Sequence, residues 1–232
     1  GVEISNSKDA AIYIKKAGNT LLYLEENTLN QVRSGDEATA RNLENAEDVM
    51  DFADKDDIKE ASGAAVYAKA DLTLAGNGTL KVTGGINNGI HTKKNLVIEK
   101  GTLEVRALNH GIKGTDSVTI KGGSFFLFCG GKGVLSDTRL AFLDGDLEVA
   151  ASYEGMEANQ ILISGGKIDI AARDDGINAN GEPAPPENQS DANQDAALPN
   201  LVISGGEIHI NAKGDGLDSN GNIYIEGGTT LI

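Results

Sequence analysis

The sequence predicts an all-β fold, a single-stranded, right-handed parallel β-helix, which is a solenoid with about 22 residues per coil. Three observations predict it: a glycine that recurs at a nearly constant interval, apolar residues spaced two apart, and the absence of proline from the repeats. The intervals are 22, 22, 22, 21 and 40 residues, for Gly89, Gly111, Gly133, Gly155, Gly176 and Gly216. The last interval is about 21 residues once an insertion at residues 182–200 is set aside.

Apolar residues mark three short strands in each repeat. Two pairs have members two residues apart, which predicts strands with one buried face, and one aliphatic residue follows each recurring glycine. The first pairs are Leu72/Leu74, Leu96/Ile98, Val118/Ile120, Leu140/Phe142, Ile161/Ile163, Leu201/Ile203 and Ile223/Ile225. The second pairs are Leu80/Val82, Leu103/Val105, Phe125/Leu127, Leu147/Val149, Ile168/Ile170 and Ile208/Ile210. Turns containing Gly-Gly or Gly-Asp separate the pairs, because glycine adopts the positive φ that such turns need.

We expect residues 1–232 to form one β-helix domain that is a segment of a longer protein, with residues 1–34 as a further, degraded coil. Two insertions interrupt it. Residues 35–62 contain ten acidic and three basic residues, and their apolar spacing predicts a short amphipathic helix that covers part of the rod. The residues at helical spacing are Leu43, Ala46, Val49 and Met50. Residues 182–200 contain all four prolines and are predicted to form a flexible loop.

Composition and charge exclude several classes of function. The formal net charge of −15 argues against binding to nucleic acid or to an anionic membrane surface, and it is compatible with binding cations. The single cysteine, Cys129, excludes an internal disulfide framework and a thiolate metal cluster. The sequence has no run of roughly 18 apolar residues, so no membrane-inserted segment is predicted.

Stacked repeats place the same position of every coil in one column, so function can be read down the columns. The residues immediately before the glycines are Asn88, His110, Lys132, Glu154, Asp175 and Asp215. The residues two after them are His91, Lys113, Leu135, Glu157, Asn178 and Asp218. The residues four after them are Lys93, Thr115, Asp137, Asn159, Asn180 and Asn220. From Glu154 onward every member of all three columns is an acid or an amide, which singles out residues 154–220.

Carboxylates that are stacked a few ångströms apart repel one another unless a proton or a cation neutralises them. Oxygen ligands without His or Cys favour a hard cation, and Ca²⁺ accepts six to eight such oxygens. The candidate ligands are Glu154, Glu157, Asp174, Asp175, Asn178, Asn180, Asp215, Asp218 and Asn220. The alternative is that these residues simply form turns, because Asp and Asn are common turn formers.

Basic and aromatic residues near the acidic columns are candidates for contacts with sugar. The basic residues either pair with acids on a solvated face or hold a uronate together with calcium, and a lysine would then be the base if the protein were a lyase. On one strand, two outward phenylalanines either stack on a sugar ring or are covered by residues 35–62. The candidate carbohydrate contacts are Lys113, Lys132, Arg173, Lys213, Phe126, Phe128 and Tyr153, and the candidate bases are Lys132, Lys113 and Lys213.

Several short motifs resemble those of a family of bacterial extracellular carbohydrate-binding β-helix domains. These are Ala70-Asp71-Leu72-Thr73-Leu74, Asn87-Asn88-Gly89-Ile90, His110-Gly111-Ile112-Lys113-Gly114, Ser152-Tyr153-Glu154-Gly155-Met156-Glu157, Asp174-Asp175-Gly176-Ile177-Asn178 and Gly214-Asp215-Gly216-Leu217-Asp218-Ser219-Asn220-Gly221. The resemblance implies a right-handed parallel β-helix, bound calcium, an extracellular or cell-surface location and affinity for plant polysaccharide. The fold is also similar to that of calcium-dependent pectate lyases, whose Asp-Asp-x-x-Asp run is matched by Asp174 and Asp175 but ends here in the amide Asn178.

The leading hypothesis is a calcium-binding, non-catalytic polysaccharide-binding β-helix of a secreted or surface-attached bacterial protein. Its ligand would be pectin, polygalacturonate or cellulose. One alternative is a calcium-dependent, pectate-lyase-like enzyme that acts on uronates by β-elimination. A second alternative is a structural adhesin or stalk in which calcium strengthens the rod.

Overall fold

The computed structural model describes residues 1–45, 63–181 and 200–232, and these contain 25 strands and one helix, α1 (Glu37–Asn45). The strands of the first half are β1 (Glu3–Asn6), β2 (Ile12–Ile14), β3 (Asn19–Leu24), β4 (Leu29–Ser34), β5 (Val66–Ala68), β6 (Asp71–Gly76), β7 (Thr79–Gly84), β8 (Ile90–Thr92), β9 (Asn95–Ile98), β10 (Thr102–Ala107), β11 (Ile112–Gly114) and β12 (Ser117–Ile120). Those of the second half are β13 (Ser124–Cys129), β14 (Val134–Leu135), β15 (Arg139–Phe142), β16 (Asp146–Ser152), β17 (Met156–Ala158), β18 (Gln160–Ile163), β19 (Lys167–Ala172), β20 (Ile177–Ala179), β21 (Leu201–Ile203), β22 (Glu207–Ala212), β23 (Leu217–Ser219), β24 (Ile223–Ile225) and β25 (Thr229–Leu231).

The strands form three parallel sheets, and every third strand belongs to the same sheet. Sheet A has the order β1-β4-β7-β10-β13-β16-β19-β22-β25. Sheet B has the order β2-β5-β8-β11-β14-β17-β20-β23, and sheet C has the order β3-β6-β9-β12-β15-β18-β21-β24. Each coil therefore passes through sheet B, sheet C and sheet A before the next coil begins. This confirms the predicted parallel β-helix.

The apolar pairs that the sequence predicts form ladders on the inside of the rod. In sheet C, Leu72 pairs with Leu96, and the ladder continues through the first pairs of the later coils. In sheet A, Leu80 pairs with Leu103, and Leu103 with Phe125. Nearly all of these side chains are buried in one cluster that runs along the rod. Because a slip of one residue would turn each ladder outward, burial also determines the register of the stacked strands.

The recurring glycines are required because consecutive coils approach one another closely at this point. A Cβ atom added to Gly133 would lie 2.6 Å from the carbonyl oxygen of Gly155, and one added to Gly155 would lie 2.4 Å from that of Gly176. The corresponding distances for Gly89, Gly111 and Gly176 are 2.7, 2.8 and 2.7 Å. Any side chain would therefore push the coils apart, whereas glycine allows the backbones to stack.

The glycines of the turns between sheets C and A have a different role. Gly123, Gly145 and Gly166 have φ angles of 115°, 120° and 78°, in the region that residues with a side chain rarely adopt. This confirms the positive φ that the Gly-Gly and Gly-Asp turns predict. The first coil is also confirmed, since β2, β3 and β4 pair with β5, β6 and β7.

Helix α1 lies in the first predicted insertion. The side chain of Asp36 accepts a hydrogen bond from the backbone N–H of Thr39, which is the arrangement of a helix N-cap. Leu43 is fully buried, and its carbonyl oxygen accepts a hydrogen bond of 3.2 Å from Arg106 on β10, so the helix is attached to sheet A. Ala46, Val49 and Met50 lie outside the described residues, and so does the predicted loop apart from its last residue, Asn200.

Candidate functional site

The predicted columns exist as stacked positions in the structure. In the first column, the N–H groups of Gly133, Gly155 and Gly176 donate hydrogen bonds of 2.9, 3.1 and 2.9 Å to the carbonyl groups of Glu154, Asp175 and Asp215. In the second column, Glu157 pairs with Asn178, and Asn178 with Asp218. The acidic part of each column therefore spans consecutive coils. The two columns lie beside each other at the entrance to sheet B.

Three carboxylates from two adjacent coils come together in this region. Oxygen atoms of Glu154, Asp174 and Asp175 all lie within 4.8 Å of one another. Glu154 is buried, whereas Asp174 and Asp175 are half-buried. Asp174 is held in place by its backbone N–H, which donates a 2.8 Å hydrogen bond to the carbonyl group of Tyr153 on the preceding coil. We call these three residues the acidic triad.

The acidic triad brings negative charge close to a buried carboxylate, that of Glu154. Burial raises the pKa of Glu154 well above its usual range, and a hydrogen bond with Glu157 and the charges of Glu157 and Asp175 raise it further, while Lys132 lowers it. The pKa of Asp175 is also raised, first by burial and then by neighbouring acids, although a hydrogen bond from the backbone N–H of Asp215 opposes the shift. Both carboxylates would be stabilised in the charged form by a bound cation.

Lys132 brings one positive charge to the acidic triad from the preceding coil. Its ammonium nitrogen lies 3.1 Å from an oxygen of Glu157 and 4.0 Å from an oxygen of Glu154. The other oxygen of Glu157 accepts a 2.8 Å hydrogen bond from the amide of Asn180. The carboxylate of Glu157 is therefore satisfied by its own chain, which leaves the acidic triad as the less compensated group.

The remaining predicted metal ligands are not members of the acidic triad. The amide nitrogen of Asn178 lies 3.5 Å from an oxygen of Glu154, and the amide of Asn220 donates to the carbonyl group of Asn180. Asp215 and Asp218 are on the next coil and are not members of the triad. All of these groups carry oxygen atoms, and the three clustered carboxylates have the composition of a site for a hard cation. The residues present therefore fit calcium.

An exposed aromatic ring lies beside the acidic triad. Tyr153 is 42% exposed, and the cationic groups of Lys132 and Arg173 lie 5.7 and 5.9 Å from the centre of its ring. A side-chain hydrogen bond with Asp174 and the negative charge of Asp174 raise the pKa of the Tyr153 hydroxyl. Arg173 also donates a 3.4 Å hydrogen bond to the carbonyl group of Gly130. An aromatic face, two cations and three carboxylates thus meet on one surface.

The complete chain, residues 1–232, matches the family model described as "carbohydrate-binding domain-containing protein". The chain belongs to this carbohydrate-binding domain family. A protein of the same description from Acetivibrio thermocellus is 34% identical over 107 residues, which amount to 46% of this chain and 32% of the relative. The match thus spans about a third of the relative's length. A solved structure of a polysaccharide lyase-like protein from C. thermocellum, a gadolinium derivative, has a TM-score of 0.61 and 26% sequence identity, with 99% of this chain and 75% of that chain covered.

In this carbohydrate-binding domain, two further predicted basic contacts, Lys113 and Lys213, have different surroundings. Lys113 is 7% exposed at its side chain and forms an ion pair of 3.3 Å with Asp137, which lies in the third column, before the acidic region that begins at Glu154. Lys213 is exposed on the coil that follows Arg173. The structure therefore brings Lys132, Arg173 and Tyr153 together and pairs Lys113 with Asp137. Lys213 precedes Gly214, whose backbone N–H donates a 3.0 Å hydrogen bond to the carbonyl group of Asp174.

The sequence left open whether Phe126 and Phe128 are exposed to sugar or covered, and the structure shows that Phe128 is covered. Phe128 is only 5% exposed, and the guanidinium group of Arg106 lies 4.9 Å from the centre of its ring. Phe126 is half-buried, with the same guanidinium group 5.3 Å from its ring centre. Arg106 stands between these rings and the carbonyl group of Leu43, so the attachment of α1 covers part of the aromatic pair.

The sequence analysis did not identify Arg106 or the acids around Phe126 as a functional group. Glu104 and Arg106 occupy the outward positions between the inward residues of β10, and Glu148 has the same place on β16. The only sequence signal for these residues is the alternation along the strand, because every second residue of a strand with one buried face points outward. Only the register shows that these positions are neighbours of Phe126.

Proposed function

We propose that this protein is a calcium-dependent, non-catalytic binder of acidic plant polysaccharide, with polygalacturonate as its model ligand. The observation that carries the proposal is the position of the exposed Tyr153 ring beside the acidic triad, with the cationic groups of Lys132 and Arg173 5.7 and 5.9 Å from its centre. Membership of the carbohydrate-binding domain family supports the class of ligand. A polymer of uronates offers repeated carboxylates, so it suits a surface that combines a cation with basic side chains.

Calcium, when bound, supplies positive charge that attracts both the protein carboxylates and the sugar carboxylates. Glu154, Asp174 and Asp175 would hold it, with Asn178 as the nearest amide. The raised pKa values of Glu154 and Asp175 support this assignment, because burial and then neighbouring acids disfavour their charged forms, which a cation would stabilise. Without calcium, the same carboxylates would repel a polyuronate.

The side chains of this protein would contribute the remaining contacts. Arg173 can donate two parallel hydrogen bonds to a carboxylate, and Lys132 adds a point charge. The Tyr153 ring offers an apolar face to the C–H groups of a sugar ring and a hydroxyl group at its edge. Since the three side chains lie within one small surface, a single uronate unit would contact all of them.

We also place this binding outside the cell, on a secreted or surface-attached protein, because plant polysaccharides occur there. The lyase-like structural neighbour is compatible with a β-helix that binds polysaccharide. The described residues contain no helix with the length and apolarity that crossing a bilayer requires. The stalk alternative predicts retention on no polysaccharide at all.

The geometry favours binding over β-elimination. A lysine base must lose its proton before it accepts one from the sugar. Lys132 and Lys113 are both held in ion pairs with carboxylates, and Lys213 lies on a later coil than the acidic triad. Two of the three candidate bases, Lys132 and Lys113, are therefore engaged by carboxylates. The lyase alternative remains an outcome of the test.

The decisive experiment measures the affinity for polygalacturonate by isothermal titration calorimetry, first with calcium and then with EDTA. We expect binding that requires calcium and that falls about tenfold or more in Tyr153→Ala, while Tyr153→Phe retains most of it. Tyr23→Ala is the matched control, because Tyr23 is an exposed tyrosine on sheet C, at 59% exposure. Equal affinity in EDTA, or an equal loss in the control, would contradict the proposal.

The same samples test catalysis. Release of unsaturated uronates is followed by ultraviolet absorbance during incubation with polygalacturonate and calcium. Sustained turnover that is lost in Lys132→Ala and in EDTA would replace the binding proposal with the lyase alternative. Absence of product together with calcium-dependent affinity supports a binder.

A further inference from the structure

A second surface of the rod has the features of a ligand site, and it lies on the outer face of sheet A rather than at the acidic triad. A cavity of about 390 Å³ opens there, over three consecutive strands, β10, β13 and β16. Its lining includes Glu104, Arg106, Phe126, Asp146 and Glu148. Its volume falls in the range of small-molecule sites, about 300–1,000 Å³. A half-buried aromatic ring surrounded by charged groups is a typical composition for such a site.

The cavity continues along the axis of the rod. A neighbouring cavity of about 250 Å³ shares Glu104 and Arg106 with the first one and extends over β7 to Gln31 and Arg33 on β4. Together they form one groove, which we call the sheet A groove, from β4 to β16. The groove runs perpendicular to five neighbouring strands. Because adjacent strands lie about 4.8 Å apart, it is about 19 Å long. The groove thus suits an extended chain better than a compact molecule.

The charges of the sheet A groove balance. Its lining has three acids, Glu104, Asp146 and Glu148, and three bases, the latter being Arg33, Lys81 and Arg106. Lys81 and Glu104 already form an ion pair of 2.7 Å. A polyanion such as polygalacturonate therefore gains no net attraction there, in contrast to a surface of one sign. Instead, the carboxylates and cationic groups offer hydrogen-bond acceptors and donors for neutral hydroxyl groups.

Phe126 supplies the apolar part of the sheet A groove near its centre. It follows Glu104 and precedes Glu148 in the ladder of sheet A, so the ring stands between two carboxylates. Arg106 is held by the two phenylalanine rings and by the carbonyl group of Leu43, which orients its guanidinium group before any ligand binds. An apolar face flanked by fixed acceptors and a donor matches a sugar ring, which has C–H groups on its faces and hydroxyl groups at its rim.

We propose that the sheet A groove binds a neutral, extended oligosaccharide, without calcium and independently of the acidic triad. Phe126 packs against one sugar ring, while Glu104, Glu148 and Arg106 form hydrogen bonds with its hydroxyl groups. The protein would then hold two classes of polysaccharide at once, an acidic one through calcium and a neutral one through the groove. Simultaneous binding would increase its retention on a mixed polymer surface.

Isothermal titration calorimetry in EDTA tests this proposal with three probes: cellohexaose, xylohexaose and mannohexaose. At least one is expected to bind, and Phe126→Ala is expected to reduce that affinity about tenfold. Glu148→Ala is a second variant in which the changed side chain is exposed, and it is expected to reduce the affinity several-fold. Asp169→Ala is the matched control, because Asp169 is the exposed neighbour of Glu148 on β19 and lies outside the lining of the groove.

The outcomes separate this proposal from the function of the acidic triad. Retention of calcium-dependent polygalacturonate binding by Phe126→Ala, with loss of the neutral ligand, supports two independent sites. The proposal for the sheet A groove is overturned if none of the three probes binds. It is also overturned if Phe126→Ala and Glu148→Ala both leave the affinity unchanged. If Tyr153→Ala loses polygalacturonate binding but still binds the neutral ligand, the loss affects only the site at the acidic triad, and the sheet A groove is supported as a separate site.

Discussion

The ammonium nitrogen of Lys132 lies 3.1 Å from a carboxylate oxygen of Glu157, which belongs to the next coil. This contact joins the last basic position of one column to the first acidic position of the neighbouring column. Their side chains are 24% and 15% exposed, so solvent screens the pair less than an ordinary surface ion pair. The protein therefore neutralises part of its own acidic surface at the boundary where the columns change sign.

Replacing Lys132 by methionine is expected to lower stability in EDTA by about 1–2 kcal/mol, between the values for exposed and buried pairs. The reason is that Glu157 and Glu154 lose their nearest cation. Urea unfolding measures the change. Lys94→Met is the control, because Lys94 forms an ion pair of 3.2 Å with Asp116 at an exposed position. An equal loss in both variants would mean that Lys132 has no special role.

Replacing Asp174 by asparagine is expected to change stability in opposite directions with and without calcium. In EDTA the variant should be more stable than the wild type, since one of three mutually repelling carboxylates is removed. Calcium at about 100 times its Kd should stabilise the wild type by about 2.7 kcal/mol, and a tenfold weaker site only by about 1.4 kcal/mol. Thermal unfolding at fixed calcium concentrations measures both effects.

Asp169→Asn is the control for this experiment, because Asp169 is an exposed carboxylate on the same coil, outside the acidic triad. It should respond to calcium as the wild type does. Identical calcium stabilisation of Asp174→Asn and Asp169→Asn would show that the acidic triad is not the calcium site.

His110 should make stability depend on pH below neutrality. Burial lowers its pKa from 6.5 to about 3, and the charges of Lys132, Lys113 and His91 add to the shift. Its Nδ1 atom accepts a 3.0 Å hydrogen bond from the backbone N–H of Lys132, so the neutral ring is the form that fits. Below pH 6.5 the histidine is protonated in the unfolded state but stays neutral in the folded state. The contribution of His110 to the free energy of unfolding is therefore present above pH 6.5 and is lost as the pH falls toward 3.

The variant His110→Asn tests this dependence, because asparagine retains a short acceptor for the N–H of Lys132 without titrating. Between pH 6.5 and 5, the wild type should lose about 1–2 kcal/mol more stability than the variant. Urea unfolding over this pH range provides the comparison. Parallel pH profiles of the two proteins would contradict the prediction.

Replacing Gly155 by alanine should destabilise the rod by about 1–3 kcal/mol, the usual effect of overpacking. The new methyl group would meet the carbonyl oxygen of Gly176 at 2.4 Å and a methyl group of Ile170 at 2.5 Å. Gly18→Ala is the control, because a Cβ atom at Gly18 meets nothing within 4 Å. Thermal unfolding should separate the two, and similar melting temperatures would refute the role of close coil stacking.

Local patterns were sufficient to predict the coils. Alternation at Leu103 and Val105 requires one buried strand face, and a glycine frame such as Gly133 to Gly155 repeats wherever backbones stack closely. The site was predicted less completely. The columns correctly placed Glu154 beside Asp175, but the alternation could not decide whether Phe128 is exposed, because Arg106 reaches its ring from a neighbouring coil.

The sequence by itself determined the fold, the register of the coils and the region where acidic residues accumulate. Each of these follows from a repeating pattern along the chain, so one coil predicts the next. Only the tertiary structure decided that Lys132 satisfies Glu157, that Glu154, Asp174 and Asp175 form the acidic triad, and that Arg106 lies over Phe128. These contacts join different coils, and each depends on the length and the rotamer of a particular side chain. Since both vary from coil to coil, they leave no periodic signal in the sequence.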